Sequence, residues 1–172
     1  MRAILLAAVL ATPVSAQSLD PRYEAVGTFE GTFGTTPVSM MSLNDLEKDR
    51  NMIKRRSTGG FTTYNISART IGSDGLPAGP SVSFTIGPLG AGGGDARSDV
   101  FFSDETGYYV ADVDNGNRAS LSEFAQDENS VTFSVNAELA PVKRGGDGFE
   151  IDTSRTGQTI TGRFSGTVAG VK

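Results

Sequence analysis

The chain has 172 residues and a formal net charge of −5, and it contains no cysteine, histidine or tryptophan. A negative chain of this kind argues against nucleic acid and against anionic membrane surfaces as partners. Without imidazole or thiol groups, the usual zinc and copper sites and most nucleophilic hydrolase machinery are excluded, so we expect no cofactor. Disulfides are excluded too, and a domain of this size can be stable on its core alone.

The first sixteen residues are typical of a secretory signal peptide. Arg2 supplies the positive charge, residues 3–11 form an apolar run, and Val14-Ser15-Ala16 forms a small-residue cleavage site. The apolar run has nine residues, whereas a membrane span needs about 20, so we expect no membrane span. The mature protein is then expected to begin at Gln17, to be exported to the periplasm or the extracellular space, and to form a single all-β domain over residues 17–172.

The first half of the mature chain contains four strand-like segments. Apolar and polar residues alternate over residues 26–34, 38–43, 61–70 and 81–86. Asn44 and Glu47 have the spacing of a helix capping box, which predicts at most one short helix near residues 45–50; the alternative is a solvated loop that runs into a strand at residues 52–56. A long loop is predicted at residues 87–99, which are rich in Gly, Ala and Asp.

The second half alternates in shorter segments. Residues 99–103 and 107–113 are predicted strands, and residues 118–124 follow after Asn115-Gly116. Asn-Gly favours a two-residue hairpin turn, so we expect the strands on its two sides to pair with each other. Further strands are predicted at residues 130–139 and 149–152.

The last segment, residues 158–168, has the most regular alternation in the chain. Like the first strand, it has a glycine two residues before an inward phenylalanine: Gly162 and Phe164 here, Gly31 and Phe33 there. A glycine beside an aromatic residue on the neighbouring strand lets the ring lie over bare backbone. We therefore expect the first and last strands to be neighbours, with Phe33 coupled to Phe164.

Turn signals separate these segments at intervals of about 8–12 residues, as in sandwiches and barrels. Glycine occurs 22 times, and glycines inside strands indicate bends or close strand crossings. The predicted fold is therefore all-β: a single antiparallel β-sandwich or small soluble β-barrel of about 8–10 short strands.

Acidic turns offer oxygen ligands of the kind that calcium takes. The segment Asp112-Val113-Asp114-Asn115-Gly116 begins like a calcium loop, but its glycine comes one place early. We therefore expect no metal beyond a weak calcium candidate at Asp112 and Asp114. The alternative is that these aspartates and glycines are turn formers.

Two stretches are candidates for a binding surface. Tyr108 and Tyr109 are adjacent in a predicted strand, so their side chains point to opposite faces and one faces outward. Arg97 follows glycines 92–94, whose backbone amides are suited to an anion; the alternative is a mobile loop, because no strand-to-helix context indicates a phosphate loop. We predict a ligand or partner surface at these three side chains.

The basic residues of the chain form one dense cluster, at Lys48, Arg50, Lys54, Arg55 and Arg56. We interpret this cluster as a solvated edge that resists edge-to-edge pairing.

Carboxylate and Ser/Lys chemistry are not excluded by composition, but the chain has no Gly-x-Ser-x-Gly elbow and no Ser-x-x-Lys motif. We therefore do not expect an enzyme. The expected function is an exported, non-enzymatic domain of the cell envelope or secreted fraction that binds an unknown protein or small ligand. The alternatives are a structural or assembly subunit of a surface structure, and an enzyme that uses carboxylate or Ser/Lys chemistry.

Overall fold

The computed structural model describes residues 18–89, 98–112, 117, 119–146 and 148–168. The predicted signal peptide, residues 1–16, lies outside them. The described residues form twelve β-strands in one antiparallel sheet and contain no helix, so the prediction of an antiparallel all-β fold is confirmed. The strands are β1 (Tyr23–Phe33), β2 (Thr36–Asp45), β3 (Arg50–Asn51), β4 (Ile53–Thr58), β5 (Phe61–Ile71), β6 (Pro77–Leu89), β7 (Ser98–Asp104), β8 (Gly107–Ala111), β9 (Ser120–Gln126), β10 (Ser130–Gly145), β11 (Gly148–Ile151) and β12 (Gln158–Thr167).

Eight of the strands pair in a closed, barrel-like ring. Their order is β2, β1, β12, β10, β8, β7, β6 and β5, and β5 returns to β2 through the pair Met41 and Arg69. The hydroxyl of Ser42 adds a hydrogen bond of 2.6 Å to the carbonyl of Ser67. β3 pairs with β2, and β4 pairs with β5, on either side of this junction. We call the β2–β5 junction, together with β3 and β4, the seam.

β10 is the spine of the sheet and has two partners on each edge. One edge pairs with β9 and then β8, and the other pairs with β12 and then β11. On the first edge, Val110 of β8 lies opposite Ala140, and Ser120 of β9 lies opposite Asn136. Ten positions along the partner chain therefore correspond to four positions along β10. In the segment 112–119 the described residues 112, 117 and 119 belong to no strand, and on the other edge residues 152–157 belong to none. We call these two segments excursions.

The spine explains why the predicted hairpin at Asn115-Gly116 is wrong. β8 and β9 both run antiparallel to β10 on the same edge, so they point in the same direction, one after the other, and cannot pair with each other. Residues 113–116 themselves lie outside the described residues. Pairing with β10 therefore decides the positions of β8 and β9, although Asn115-Gly116 favours a hairpin locally.

The segment predicted as a short helix near residues 45–50 is a turn. The Asp45 carboxylate accepts a hydrogen bond from the amide of Lys48 at 3.1 Å, as a helix cap does. The chain nevertheless reverses, because Arg50 and Asn51 pair back onto the end of β2. The loop predicted at residues 87–99 is also shorter than expected, since β6 continues to Leu89 and β7 begins at Ser98.

The inside of the ring is filled by a cluster of phenylalanines. The ring of Phe84 lies 5.5 Å from that of Phe29, 5.1 Å from that of Phe133 and 6.4 Å from that of Phe164. All four side chains are at most 1% exposed. The interior is thus a packed core, as in small barrels whose side chains fill the centre.

The first and last strands are neighbours, as predicted. Phe29 lies opposite Phe164, and Gly31 lies opposite Gly162. A Cβ at Gly162 would lie 2.7 Å from Cζ of Phe29, and one at Gly27 would lie 2.9 Å from Cζ of Phe164. The rings therefore cover bare backbone, which only glycine provides.

The predicted partner of Phe164 is corrected by the register. Phe33 lies opposite Ile160 and stacks on Phe102, with ring centroids 3.9 Å apart. Phe29 takes the place that we expected for Phe33, because it is Phe29 that lies directly across from Phe164. The shared glycine spacing thus indicated the correct strands but the wrong ring.

The excursion between β11 and β12 is held by Arg155. Its guanidinium donates hydrogen bonds to the carbonyls of Thr106 at 2.8 Å, Tyr108 at 3.0 Å and Val142 at 2.7 Å. Its Nε donates to the Asp152 carboxylate at 2.9 Å. One side chain therefore fixes this excursion against β8 and the spine.

We expect Phe29→Ala and Phe164→Ala each to lower the free energy of unfolding by about 3–5 kcal/mol, as truncations of fully buried rings do. Because the two residues are opposite each other, their effects should not add. Urea denaturation of both single variants and the double variant measures this coupling. Phe33→Ala combined with Phe164→Ala is the control and should be additive; a plain sum for Phe29 and Phe164 would contradict the packing described here.

Candidate basic groove at the seam

A groove of about 460 Å³ follows the outer side of the seam. Leu43, Tyr23 and Pro77 contribute to its lining. Its charged character comes from five cationic side chains: one directly precedes β1, one lies in the turn between β2 and β3, and three lie on β3, β4 and β5. These are Arg22, Lys48, Arg50, Lys54 and Arg69.

The path of the chain between β3 and β4 creates this groove. The amide of Met52 donates to the carbonyl of Leu43, and its carbonyl accepts from the amide of Ser67, each at 2.9 Å. Met52 thus joins β2 to β5 where their own ladder has a single pair. Side chains alternate between the two faces along β4 and β5. Because Ile66 points to the buried face, Lys54 and Arg69 point to the outer face.

Among the described residues, ion pairs neutralise one of the five cations. Arg22 forms ion pairs with Asp45 at 2.5 Å and with Glu47 at 3.3 Å. Within the part of the chain that the structure describes, the other four form no ion pair, and all four are exposed. Their charge is therefore available to a ligand.

The Arg22–Asp45 ion pair shifts the pKa of both of its groups. The hydrogen bond from Arg22 holds the pKa of the Asp45 carboxyl below its ordinary value, and the hydrogen bond from the Lys48 amide acts in the same direction. The same carboxylate raises the pKa of Arg22. Both groups stay charged at neutral pH, so this pair fixes one wall of the groove.

Sequence reasoning identified part of this groove. Lys48, Arg50 and Lys54 belong to the basic cluster that we interpreted as a solvated edge, and β4 is indeed the end of the strand order. Arg22 and Arg69 were missed, because they are distant in sequence and come to the seam only when the ring closes.

The surface at Tyr108, Tyr109 and Arg97 stays a prediction, and the structure describes the two tyrosines. Tyr109 is 6% exposed, and its ring lies inside, 5.0 Å from that of Phe33. This corrects the prediction for Tyr109, because alternation sends it inward and Tyr108 outward. Arg97 lies outside the described residues.

Tyr108 belongs to an outer aromatic face with Phe101 and Phe149. The three ring centroids are 5.3 to 5.7 Å apart. On β11, Phe149 is 48% exposed and Ile151 is 43% exposed. The cluster packs β11 onto the wall of the ring and leaves an apolar patch on the surface.

The calcium candidate stays a prediction. Asp112 is half-buried at the end of β8, where it and Asp99 line a second groove of about 430 Å³. Asp114 lies outside the described residues. Among the described residues, no three acidic side chains come together as a metal site would require, and no helix is present that is long and apolar enough to cross a membrane.

Comparison of the chain with known protein families, with curated proteins and with solved structures found no match. The class of the protein is therefore defined by its own features. It is an antiparallel, barrel-like all-β domain with a filled interior and a basic groove on its outer surface.

We expect Asp45→Asn to destabilise the protein at neutral pH and to have a smaller effect in acid. A carboxyl whose pKa is lowered in the folded state stabilises that state above its unfolded pKa of about 3.9, and this contribution is lost as the pH falls through the folded pKa. Urea denaturation of the two proteins between about pH 6 and pH 2 measures the difference. A difference that stays constant over this range would show that the pair contributes no such stability.

Proposed function

We propose that the protein is an exported, non-enzymatic binding domain, and that its ligand is negatively charged and binds in the groove at the seam. The observation that carries this proposal is that four cations with no ion pair to any described residue surround one groove in a chain whose net charge is −5. A random distribution of charge on an acidic surface does not concentrate positive charge in a concave site.

The shape of the site supports ligand binding. Its volume of about 460 Å³ falls in the usual range of ligand pockets, roughly 300–1,000 Å³. Five cations and one carboxylate line the groove, and a cleft in which one sign of charge predominates concentrates the opposite charge near it and raises the rate of association. Because the ring interior is filled, the outer surface is where a ligand has access.

The neighbouring side chains support binding rather than catalysis. Asp45 is the carboxylate that lines the groove, and Arg22 engages it. Ser67 also lines the groove, and its hydroxyl is hydrogen-bonded to that of Ser83 at 2.9 Å. A nucleophile needs a base within hydrogen-bond reach, and this arrangement supplies none to Ser67.

The test uses dextran sulfate as a charged probe and neutral dextran as its control. We expect the protein to bind dextran sulfate with an affinity that falls as salt is added, since exposed charges are screened. Lys54→Glu and Arg69→Glu should each weaken binding by about tenfold or more, equivalent to about 1.4 kcal/mol.

The matched control for these reversals is Lys143→Glu, which changes an exposed lysine on β10 outside the groove. Calorimetric titration measures all four proteins. The proposal fails if the groove variants bind as the unmodified protein does, or if the control weakens binding equally.

The second candidate function is a structural or assembly subunit. It is favoured by the exposed Phe149 and Ile151 on β11, a strand that pairs only with β10 among the described residues. A subunit should self-associate as its concentration rises, whereas a binding domain should not. Light scattering over a range of concentrations separates the two, with Phe149→Ser as the variant that should abolish association.

A further inference from the structure

The proposed function leaves the chemical nature of the anion open, and the inference made here rests on that function. We infer that the groove and the outer edge of β4 together form a docking surface for an extended acidic segment of a partner protein. The segment adds to the sheet as a strand beside β4, and its carboxylates face the cations of the groove.

β4 offers a free backbone edge. It stands at the end of the strand order and, among the described residues, pairs only with β5. The amide of Ile53 donates to the side chain of Asn51 at 2.7 Å, and the carbonyl of Met52 is bonded to β5. Since backbone groups alternate in an antiparallel strand, the amides of Arg55 and Ser57 point to the outer edge.

The positive charge on the edge of β4 favours an acidic strand as its partner. Lys54 and Arg56 are exposed on one face of β4, and Lys54 also lines the groove. Like charges directly across a strand pair are destabilising, so the edge rejects a second copy of β4. An acidic strand instead places opposite charges across the pair, and the groove cations Arg50 and Arg69 extend the favourable field.

The free edge distinguishes a peptide from other anions. Strand addition takes its affinity from main-chain hydrogen bonds and its specificity from the side chains beside the strand. A sulfated sugar or inorganic phosphate can meet the cations but has no row of amides and carbonyls to pair with β4. The cations of the groove therefore favour an anion, and the outer edge of β4 favours an anion that has a peptide backbone.

The first experiment uses a fluorescent ten-residue peptide in which glutamate alternates with threonine. Fluorescence anisotropy should show saturable binding that weakens with salt. Two matched peptides test the two parts of the inference: one has lysine in place of glutamate, and the other is methylated on alternate backbone nitrogens. Both should bind at least about tenfold more weakly, because the first reverses the charge and the second blocks strand pairing.

The second experiment changes the edge without changing its charge. Ser57→Pro removes an outward amide, a substitution that edge strands tolerate. Ser57→Ala keeps the amide and is the control. Proline should weaken binding of the acidic peptide by about tenfold, while alanine should leave it unchanged, and thermal unfolding of both variants verifies that the fold is kept.

The two proposals fail in different ways. If the methylated peptide binds as well as the unmodified one, or if Ser57→Pro has no effect in a folded protein, strand addition is overturned. Dextran sulfate binding that still depends on Lys54 and Arg69 would then leave the proposed function standing. If both the acidic peptide and dextran sulfate fail to bind, both proposals are overturned.

Discussion

The contact between phenylalanine rings and bare glycine backbone is the constraint on which the fold depends. Phe29 lies over Gly162, and Phe164 lies over Gly27, so β1 and β12 can pair closely while both rings point to the centre. The rings meet Phe84 from the opposite wall and fill the interior. The interior of the ring is therefore occupied by side chains, and the proposed groove lies on the outer surface.

The sequence predicts which face of a strand each side chain occupies far better than it predicts which strands pair. Alternation predicts the inward residues of β12, because a buried face imposes a period of two on the chain, and the shared glycine spacing predicts that the first and last strands are neighbours. It could not reveal that β8 and β9 follow each other along β10, since that pairing is decided by the spine and not by Asn115-Gly116. The β2–β5 seam rests on one ladder pair and on Met52, and no local pattern marks either.

The candidate site was predictable only in part for a similar physical reason. A run of cations is visible in the sequence, but whether each cation is available depends on its distance from a carboxylate. Arg22 is neutralised by Asp45, 23 positions away, whereas Arg69 comes to the same groove without an ion pair to any residue that the structure describes. Whether these cations form a solvated edge or the proposed anion site therefore depends on which residues the closed ring brings together.

The excursions beside β10 have a consequence for how this chain can change in length. The spine holds the register of its partners before and after each excursion, so a change in the number of residues between Ala111 and Ser120 need not move the ladder, whereas Arg155 ties the segment 152–157 to β8 and the spine. A single insertion inside β12 would have the opposite result, because it would turn Phe164 from the core to the solvent. Variation in chain length can therefore be accommodated between β8 and β9, where the number of residues does not set the register of the ladder.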